Sequence, residues 1–209
     1  MKTALFDFDG VLVDTEPIYD IFWDEASERY GLGIDNFAYV IKGTTLPHII
    51  ETYFKSYPVE LQEQVRNESA AYERAMELPE MPGSFDFLRM LKANGVRIGL
   101  VTSSDLHKVN RAMKMHQLEG IFDTIVTADR ITSGKPDPMC YLLAAKDLGV
   151  DPSDCLVFED SFAGIAAGTA AGMRVIGLST TNPKETLEEK VYEVIPNFIG
   201  KGIDDYLQW

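Results

Sequence analysis

Near the start of the chain stands the sequence TALFDFDG, residues 3–10. Its first part, residues 3–8, is mainly apolar and predicts a buried strand. Two carboxylates, Asp7 and Asp9, stand at the end of this strand. Because they are two residues apart, an extended backbone would send both side chains to the same side. The stretch therefore predicts a strand that delivers a pair of carboxylates to one edge of a sheet.

Further along, short apolar and β-branched runs alternate with segments of helical periodicity. The runs are residues 97–102, 124–127, 155–159 and 174–178, and the helical segments are residues 84–93, 105–115, 137–148 and 162–171. Such alternation predicts βαβ crossovers and an α/β fold with a Rossmann-like parallel sheet covered on both faces. Ligands bind at the carboxyl ends of the strands in such folds, so the residues just after each strand are the candidates for a functional site.

The pattern changes between the first strand and residue 83. Residues 17–30, 45–57 and 59–78 all have helical character, with Pro17 and Pro47 at first-turn positions. A Pro- and Gly-rich stretch, residues 78–83, closes the segment. We therefore expect a core of residues 1–15 and 83–209, with residues 16–82 forming an inserted all-helical cap domain.

Composition excludes several classes of function. The 19 Lys and Arg against 33 Asp and Glu give a net charge of −14, which would repel nucleic acid and anionic membranes. No apolar run approaches the ~20 residues of a membrane span, and Asp7 and Asp9 interrupt the only stretch that could begin a signal peptide. The cysteines, Cys140 and Cys155, fit no metal-ligand or disulfide pattern. These features favour a cytoplasmic protein, and a monomer is compatible with them.

Polar residues cluster at the predicted strand ends. Besides the first pair of carboxylates, the strand ends and one turn carry Thr102, Ser103, Lys135, Glu159 and Asp160. A divalent metal between Asp7 and Asp160 would offset the repulsion among the carboxylates, and oxygen ligands alone favour Mg²⁺. Hydroxyl groups, backbone N–H groups at a helix N-terminus and a lysine suit a phosphoryl anion. The cluster thus predicts a magnesium and phosphate site.

Four strings in this order resemble the motifs of a known superfamily. They are DFDGVLVDT (residues 7–15), LVTSS (100–104), GKPDP (134–138) and VFEDSFAGIAAGTAAGM (157–173). They are similar to the four motifs of the haloacid dehalogenase superfamily, in particular its β-phosphoglucomutase-like and phosphatase branch, in which a helical cap follows the first motif. The resemblance spans nearly the whole chain and implies a phosphatase acting on a small phosphorylated metabolite.

The resemblance also implies a role for each residue. Asp7 would attack phosphorus and form an aspartyl-phosphate. Asp9 would serve as general acid and then general base, and its backbone carbonyl would help to hold Mg²⁺. Dehalogenases lack that second carboxylate, so Asp9 favours phosphoryl transfer.

The remaining motif residues would bind the phosphate and the metal. Thr102 and the N–H of Ser103 would bind phosphoryl oxygens, and Lys135 would neutralise charge between the nucleophile and the phosphate. Asp160 would ligate the metal, while Glu159 would hold a metal-bound water.

Two alternatives compete with a phosphatase. A sugar phosphomutase of this branch needs a second phosphate grip in its cap, and this chain departs from that pattern at Tyr19, Leu46 and the Asp105-Leu106 pair. We therefore favour hydrolysis, with a sugar phosphate as the substrate class, and expect Tyr19 and Lys42 to approach the substrate from the cap. The remoter alternative is a non-catalytic anion-binding protein, which would have no need of an acid/base residue such as Asp9.

Overall fold

The computed structural model describes residues 2–41 and 46–209. The chain forms two compact units, one of Met1–Asp14 with Leu78–Trp209 and one of Thr15–Glu77. The second boundary lies five residues before the expected one, because the return segment pairs with the first unit. Met81 N donates to the carbonyl of Leu12 at 2.9 Å, and Glu80 forms an antiparallel bridge with Val13.

The first unit contains a six-stranded sheet in which every neighbouring pair is parallel. Its strands are β1 (Thr3–Phe6), β2 (Ile98–Val101), β3 (Thr124–Val126), β4 (Cys155–Glu159), β5 (Arg174–Leu178) and β6 (Glu193–Ile195), in the order β3-β2-β1-β4-β5-β6. The α/β fold class is confirmed. The strand β6 was not predicted, because three residues, of which the first is a glutamate, carry too little periodicity to be recognised.

Helices surround the sheet and build the inserted unit. The described residues form α1 (Glu16–Tyr30), α2 (Phe37–Ile41), α3 (Leu46–Ile49), α4 (Val59–Ala75), α5 (Ser84–Ala93), α6 (Leu106–Met115), α7 (Met139–Leu148), α8 (Phe162–Ala170), α9 (Lys184–Leu187) and α10 (Ile203–Gln208), with a π-helical segment over Ile50–Phe54 and two 3-10 turns over Ala128–Arg130 and Pro152–Asp154. The segment predicted as one helix over residues 45–57 is α3 followed by the π-helical segment. Among the described residues, no helix is both long and apolar enough to cross a membrane.

The inserted unit has a core of its own, and every regular element that the structure describes in it is a helix. Phe22, Trp23 and Phe37 are buried there and meet edge to face, with ring centroids 4.9 Å and 6.2 Å apart in turn. Such pairs add to the stabilisation that burial of the rings already gives. This aromatic packing explains how a short helical insertion keeps a defined structure.

Buried aromatic side chains hold the central strands of the first unit. Phe6 of β1 stacks on Phe158 of β4 with ring centroids 4.5 Å apart, and Phe198 packs against both. The strand order reverses direction between β1 and β4, because β2 lies on one side of β1 and β4 on the other. In open parallel sheets the crevice beyond such a reversal is where ligands bind. The packing therefore fixes the positions of Asp7 and Glu159.

Candidate active site

The ion pair between Asp7 and Lys135 lies at the reversal of the strand order. Asp7 directly follows β1, and its N–H donates to the carbonyl of Phe158 at 3.0 Å. Lys135 Nζ lies 2.8 Å from Asp7 Oδ1 and 2.5 Å from Glu159 Oε1, and it is 3.4 Å from the carbonyl of Val101. One buried ammonium group thus joins residues that stand 128 and 24 positions away in the sequence.

Glu159 is completely buried and accepts hydrogen bonds at both oxygens. Besides Lys135, the hydroxyl of Tyr141 donates to Oε1 at 2.9 Å. The N–H of Asp160 and both the N–H and the hydroxyl of Ser161 donate to Oε2 at 3.1–3.2 Å. A carboxylate offers about four lone-pair sites, so protein donors already fill this one. Glu159 is therefore built to hold its neighbours in place.

Burial and charge change the acidity of these groups. Burial raises the pKa of Asp7 to about 7; Lys135 opposes that rise, and Glu159 adds to it. Burial alone would lower the pKa of Lys135, but its ion pairs with Asp7 and Glu159 outweigh that effect and raise it, so the ammonium stays charged. Burial, followed by the charge of Glu159, raises the pKa of Tyr141, which remains a neutral donor.

Asp9 lies beside the N-terminus of α6. Its Oδ2 accepts from the hydroxyl of Ser104 at 2.7 Å, and its Oδ1 lies 2.6 Å from Nζ of Lys108, which is buried. The N–H of Ser104 in turn donates to Thr102 Oγ1 at 2.9 Å, which leaves the hydroxyl hydrogen of Thr102 able to point elsewhere. Ser103, between them, is exposed.

Asp160 is also buried and faces a loop that the sequence analysis did not single out. Its Oδ2 accepts from the hydroxyl of Thr181, and its backbone carbonyl accepts from Asn182 Nδ2 at 3.0 Å. The hydroxyl of Thr180 donates to the carbonyl of Gly10 at 2.6 Å. Three consecutive side chains after β5 therefore contact the loop that carries Asp9 and the end of β4.

The arrangement fits a divalent cation. One carboxylate oxygen from each of Asp7, Glu159 and Asp160 lies within 4.8 Å of the others, and because protein donors already fill Glu159, Asp7 and Asp160 are the two that could ligate a cation. All three side chains are largely buried, so their mutual repulsion is weakly screened. Lys135 compensates one of these charges, and a divalent ion would offset the remainder. An all-oxygen donor set of this kind suits Mg²⁺.

In the helical unit, Tyr19 lines a cavity of about 290 Å³. The Tyr19 hydroxyl donates to Glu73 Oε1 at 2.9 Å. Glu16, Asp20 and Glu73 line this cavity together with Trp23, and none of the described residues that line it is a lysine or an arginine. Lys42, which the sequence analysis also assigned to the substrate, lies outside the described residues.

Sequence reasoning missed Lys108, Tyr141 and Thr181. Lys108 stands in the first turn of a helix, where a lysine is normally solvated, and only its contact with Asp9 reveals its burial. Tyr141 resembles any other aromatic residue on the buried face of α7. Thr181 lies in a loop without periodicity. Only its position just after β5 could have marked Thr181 as a site residue, because the carboxyl ends of all strands in a parallel sheet lie at the same edge.

Known proteins resemble this chain along most of its length. Residues 1–172 match the model of a family described as haloacid dehalogenase-like hydrolase. The chain is 33% identical over 195 residues to the validoxylamine A 7'-phosphate phosphatase of Streptomyces hygroscopicus subsp. limoneus, covering 90% of each chain. It is 34% identical over 194 residues to hexitol phosphatase A of Escherichia coli (strain K12), covering 90% of this chain and 88% of the relative.

A solved structure of a β-phosphoglucomutase from Clostridium difficile superimposes with a TM-score of 0.79 at 27% identity, covering 100% of this chain and 96% of the other. Both phosphatases and a phosphomutase are therefore similar to this chain along nearly its whole length.

Proposed function

The chain belongs to the haloacid dehalogenase-like hydrolases, and from that premise we propose that it is a Mg²⁺-dependent phosphohydrolase that removes phosphate from a small phosphorylated sugar or polyol. The observation that supports this most is the placement of Asp7, which lies buried against Lys135 and two residues before a second carboxylate held by its own lysine. A binding protein would need the first arrangement but not the second.

Asp7 and Asp9 have different roles in the proposed reaction. Lys135 holds Asp7 Oδ1, so Oδ2 is the oxygen that would attack phosphorus. The new bond from Asp7 to phosphorus forms as the ester bond breaks, and Asp9 gives its proton to the departing oxygen. Water then attacks the aspartyl-phosphate, and Asp9 takes a proton from that water. The cycle releases an alcohol and inorganic phosphate and returns Asp7 to its carboxylate form and Asp9 to its protonated form.

Other residues bind and orient the phosphoryl group. The Thr102 hydroxyl and the Ser103 N–H would donate to its oxygens, and Lys135 would offset the charge that collects between nucleophile and phosphate. Mg²⁺, held by Asp7, Asp160 and the backbone carbonyl of Asp9, would supply further positive charge. The oxygens of Glu159 accept five hydrogen bonds from the protein, so its role would be to hold Lys135 in place. They have little capacity left to bind the metal-bound water that the sequence analysis assigned to this residue.

The cavity of the helical unit suits a hydroxyl-rich group better than a phosphate. Glu16, Asp20 and Glu73 line this cavity, and carboxylates accept hydrogen bonds from sugar hydroxyls but repel a phosphate. The relatives that carry phosphatase names act, by those names, on a hexitol phosphate and on validoxylamine A 7'-phosphate. We therefore propose hydrolysis and not phosphomutase activity. The buried thiols of Cys140 and Cys155 support a reducing, cytoplasmic location.

A panel of phosphate esters assayed with Mg²⁺ tests the proposal. We expect the highest kcat/KM for a sugar or polyol phosphate, with release of inorganic phosphate, and no turnover by Asp7→Asn. Turnover that survives this substitution would overturn the mechanism. Interconversion of hexose 1- and 6-phosphates without phosphate release would instead establish a mutase, and failure to cleave or isomerise any ester would return the binding protein to consideration.

A further inference from the structure

The loop after β5 contributes three consecutive polar side chains, Thr180, Thr181 and Asn182, which we call the polar clamp. Thr180 donates to the carbonyl of Gly10, Thr181 donates to Oδ2 of Asp160, and Asn182 donates to the backbone carbonyl of Asp160. The clamp thus contacts both segments that carry the proposed metal ligands. No residue of it belongs to the motifs that the sequence analysis used.

Ordered backbone flanks the polar clamp on both sides. Before it, Ser179 N donates to the carbonyl of Ile195 in β6 at 3.0 Å. After it, Thr186 N donates to the carbonyl of Pro183 at 3.0 Å, at the start of α9. A loop fixed in this way can in turn fix the side chains that it contacts.

The space between Gly10 and Asp160 shows how closely these parts fit. Gly10 has a φ of 72°, a conformation that favours glycine. A Cβ added there would overlap the carboxylate of Asp160 and would lie 3.2 Å from Thr181 Oγ1. The carboxylate therefore has backbone on one side and the Thr181 hydroxyl within hydrogen-bonding reach, which leaves it little freedom to rotate.

We propose that the polar clamp fixes the Asp160 carboxylate in the orientation that binds Mg²⁺, and that Thr181 is the positioning residue with the largest effect. Because Thr181 donates to Oδ2, rotation of the carboxylate would break this bond, so the bond sets the direction of both oxygens. Ligating carboxylates are commonly held by such outer hydrogen bonds, and losing one lowers metal affinity by about 10–100-fold. The inference rests on the proposed function, since it assumes the metal site at Asp7 and Asp160.

Calorimetric titration of Mg²⁺ alone into the metal-stripped full chain, without substrate, tests the clamp. Thr181→Val keeps the shape of the side chain and removes the donor, so we expect the Kd for Mg²⁺ to rise by about 10–100-fold. Thr181→Ser restores the hydroxyl and should restore the affinity. Thr186→Val is the matched control, because its hydroxyl donates to the carbonyl of Pro183 at 2.7 Å within the same segment; it should leave the Kd unchanged.

Thermal unfolding separates positioning from a merely structural role. Mg²⁺ that binds only the folded state raises its stability by an amount that grows with the logarithm of the Mg²⁺ concentration divided by the Kd. We expect Thr181→Val to unfold at a lower temperature than the wild type even without Mg²⁺, because it loses a hydrogen bond to a buried carboxylate, and in addition to lose most of the upward shift that Mg²⁺ gives the wild type. Should Thr181→Val not fold, Thr181→Ala carries the same expectation.

The outcomes distinguish the two proposals. If the wild type binds no Mg²⁺, the metal part of the proposed function is wrong. If the wild type binds Mg²⁺ and Thr181→Val binds it equally well, or if Thr181→Val loses stability equally with and without Mg²⁺, the polar clamp does not position Asp160.

Discussion

Lys108 Nζ lies 2.6 Å from Asp9 Oδ1, and only 3% of the lysine side chain is exposed, against 22% of the aspartate side chain. The opposite oxygen of Asp9 accepts from Ser104 at 2.7 Å. The carboxylate proposed to move the proton is thus held at both oxygens. A group held in this way is positioned before substrate arrives.

Lys108→Met therefore lowers kcat, because a carboxylate without its cation can rotate away from the leaving oxygen. We expect a loss of up to about 100-fold, the scale of a misplaced reacting group, with KM for a sugar phosphate nearly unchanged. Steady-state kinetics measure both constants. Lys114→Met, an exposed lysine on the same helix α6, is the matched control, and an equal effect of both substitutions would contradict the positioning role.

Asp9→Asn separates the two halves of the reaction. Without a general acid, a sugar phosphate should react about 10²–10⁴-fold more slowly, because its alcohol leaves poorly without a proton. An aryl phosphate has a more stable leaving group, so it should still phosphorylate Asp7 and then stop, because the next step needs a base. Rapid-mixing absorbance measurements should therefore show a burst of one phenolate per enzyme. Asp7→Asn should show no burst, and a burst from it would place the nucleophile elsewhere.

The sequence was informative wherever one residue type at a strand end decided the chemistry. Asp7 and Asp160 could be predicted because the residues after parallel strands reach one edge, and both lie in the carboxylate cluster. The short strand β6 and the five-residue helix α2 could not be predicted, because each is shorter than the stretch of sequence needed to detect a periodic pattern.

The partners of these residues could not be predicted, because burial depends on the whole fold. Lys108 and Lys114 look alike in the sequence, six positions apart on one helix. The first is buried on Asp9 and the second is exposed, and only the approach of the β1 loop to the start of α6 makes that difference.

Tyr141→Phe should destabilise the fold without altering the packing of the ring. The Tyr141 hydroxyl donates to buried Glu159 Oε1 at 2.9 Å, and its ring lies 5.4 Å from Lys135 Nζ. Removing a hydrogen bond to a buried charge costs about 1.5–3 kcal/mol of unfolding free energy, which urea denaturation measures. Tyr192→Phe, at a residue that is 57% exposed, should change little. Equal stability of Tyr141→Phe and the wild type would show that the hydroxyl is dispensable.

Acid should weaken the contacts of Asp147. Arg130 Nη1 donates to Asp147 Oδ2 at 2.8 Å and Thr124 Oγ1 does so at 2.7 Å, and these two hydrogen bonds, the first having the larger effect, hold the pKa of Asp147 below its ordinary value. The folded state therefore releases the proton more readily than the unfolded chain does. The stabilisation that the ionised Asp147 gives the fold is complete above the unfolded pKa of about 3.9. It is lost as pH falls through the lower pKa of the folded state.

The stability difference between wild type and Asp147→Asn tests this dependence. We expect it to be constant from about pH 7 to pH 5, no larger than about 1 kcal/mol for so accessible a pair, and to shrink as pH falls further below 4. Urea denaturation at several pH values measures it. Asp86→Asn, whose carboxylate side chain is 89% exposed, is the control. A difference that grows on acidification would contradict the sign.

Gly164→Ala should damage the active site while leaving the helix intact. Alanine is favoured over glycine in a helix interior by about 1 kcal/mol, so α8 itself should tolerate the change. A Cβ at Gly164, however, would overlap the carboxylate of Glu159, which is held by Lys135 and Tyr141 and cannot turn aside without breaking those bonds. We expect Lys135 to lose its alignment with Asp7 and kcat/KM to fall by about 100-fold.

Gly168→Ala supplies the comparison on the same helix. A Cβ there would meet only apolar methyl groups, at 3.0 Å from Val175 and 3.3 Å from Val157, which need to shift by a few tenths of an ångström. It should therefore change stability slightly and keep most of the activity. Circular dichroism and steady-state kinetics on both variants decide the matter. If the two lose activity equally, tight packing of α8 on β4 limits the enzyme; if only Gly164→Ala does, the position of Glu159 controls Lys135 and through it the nucleophile.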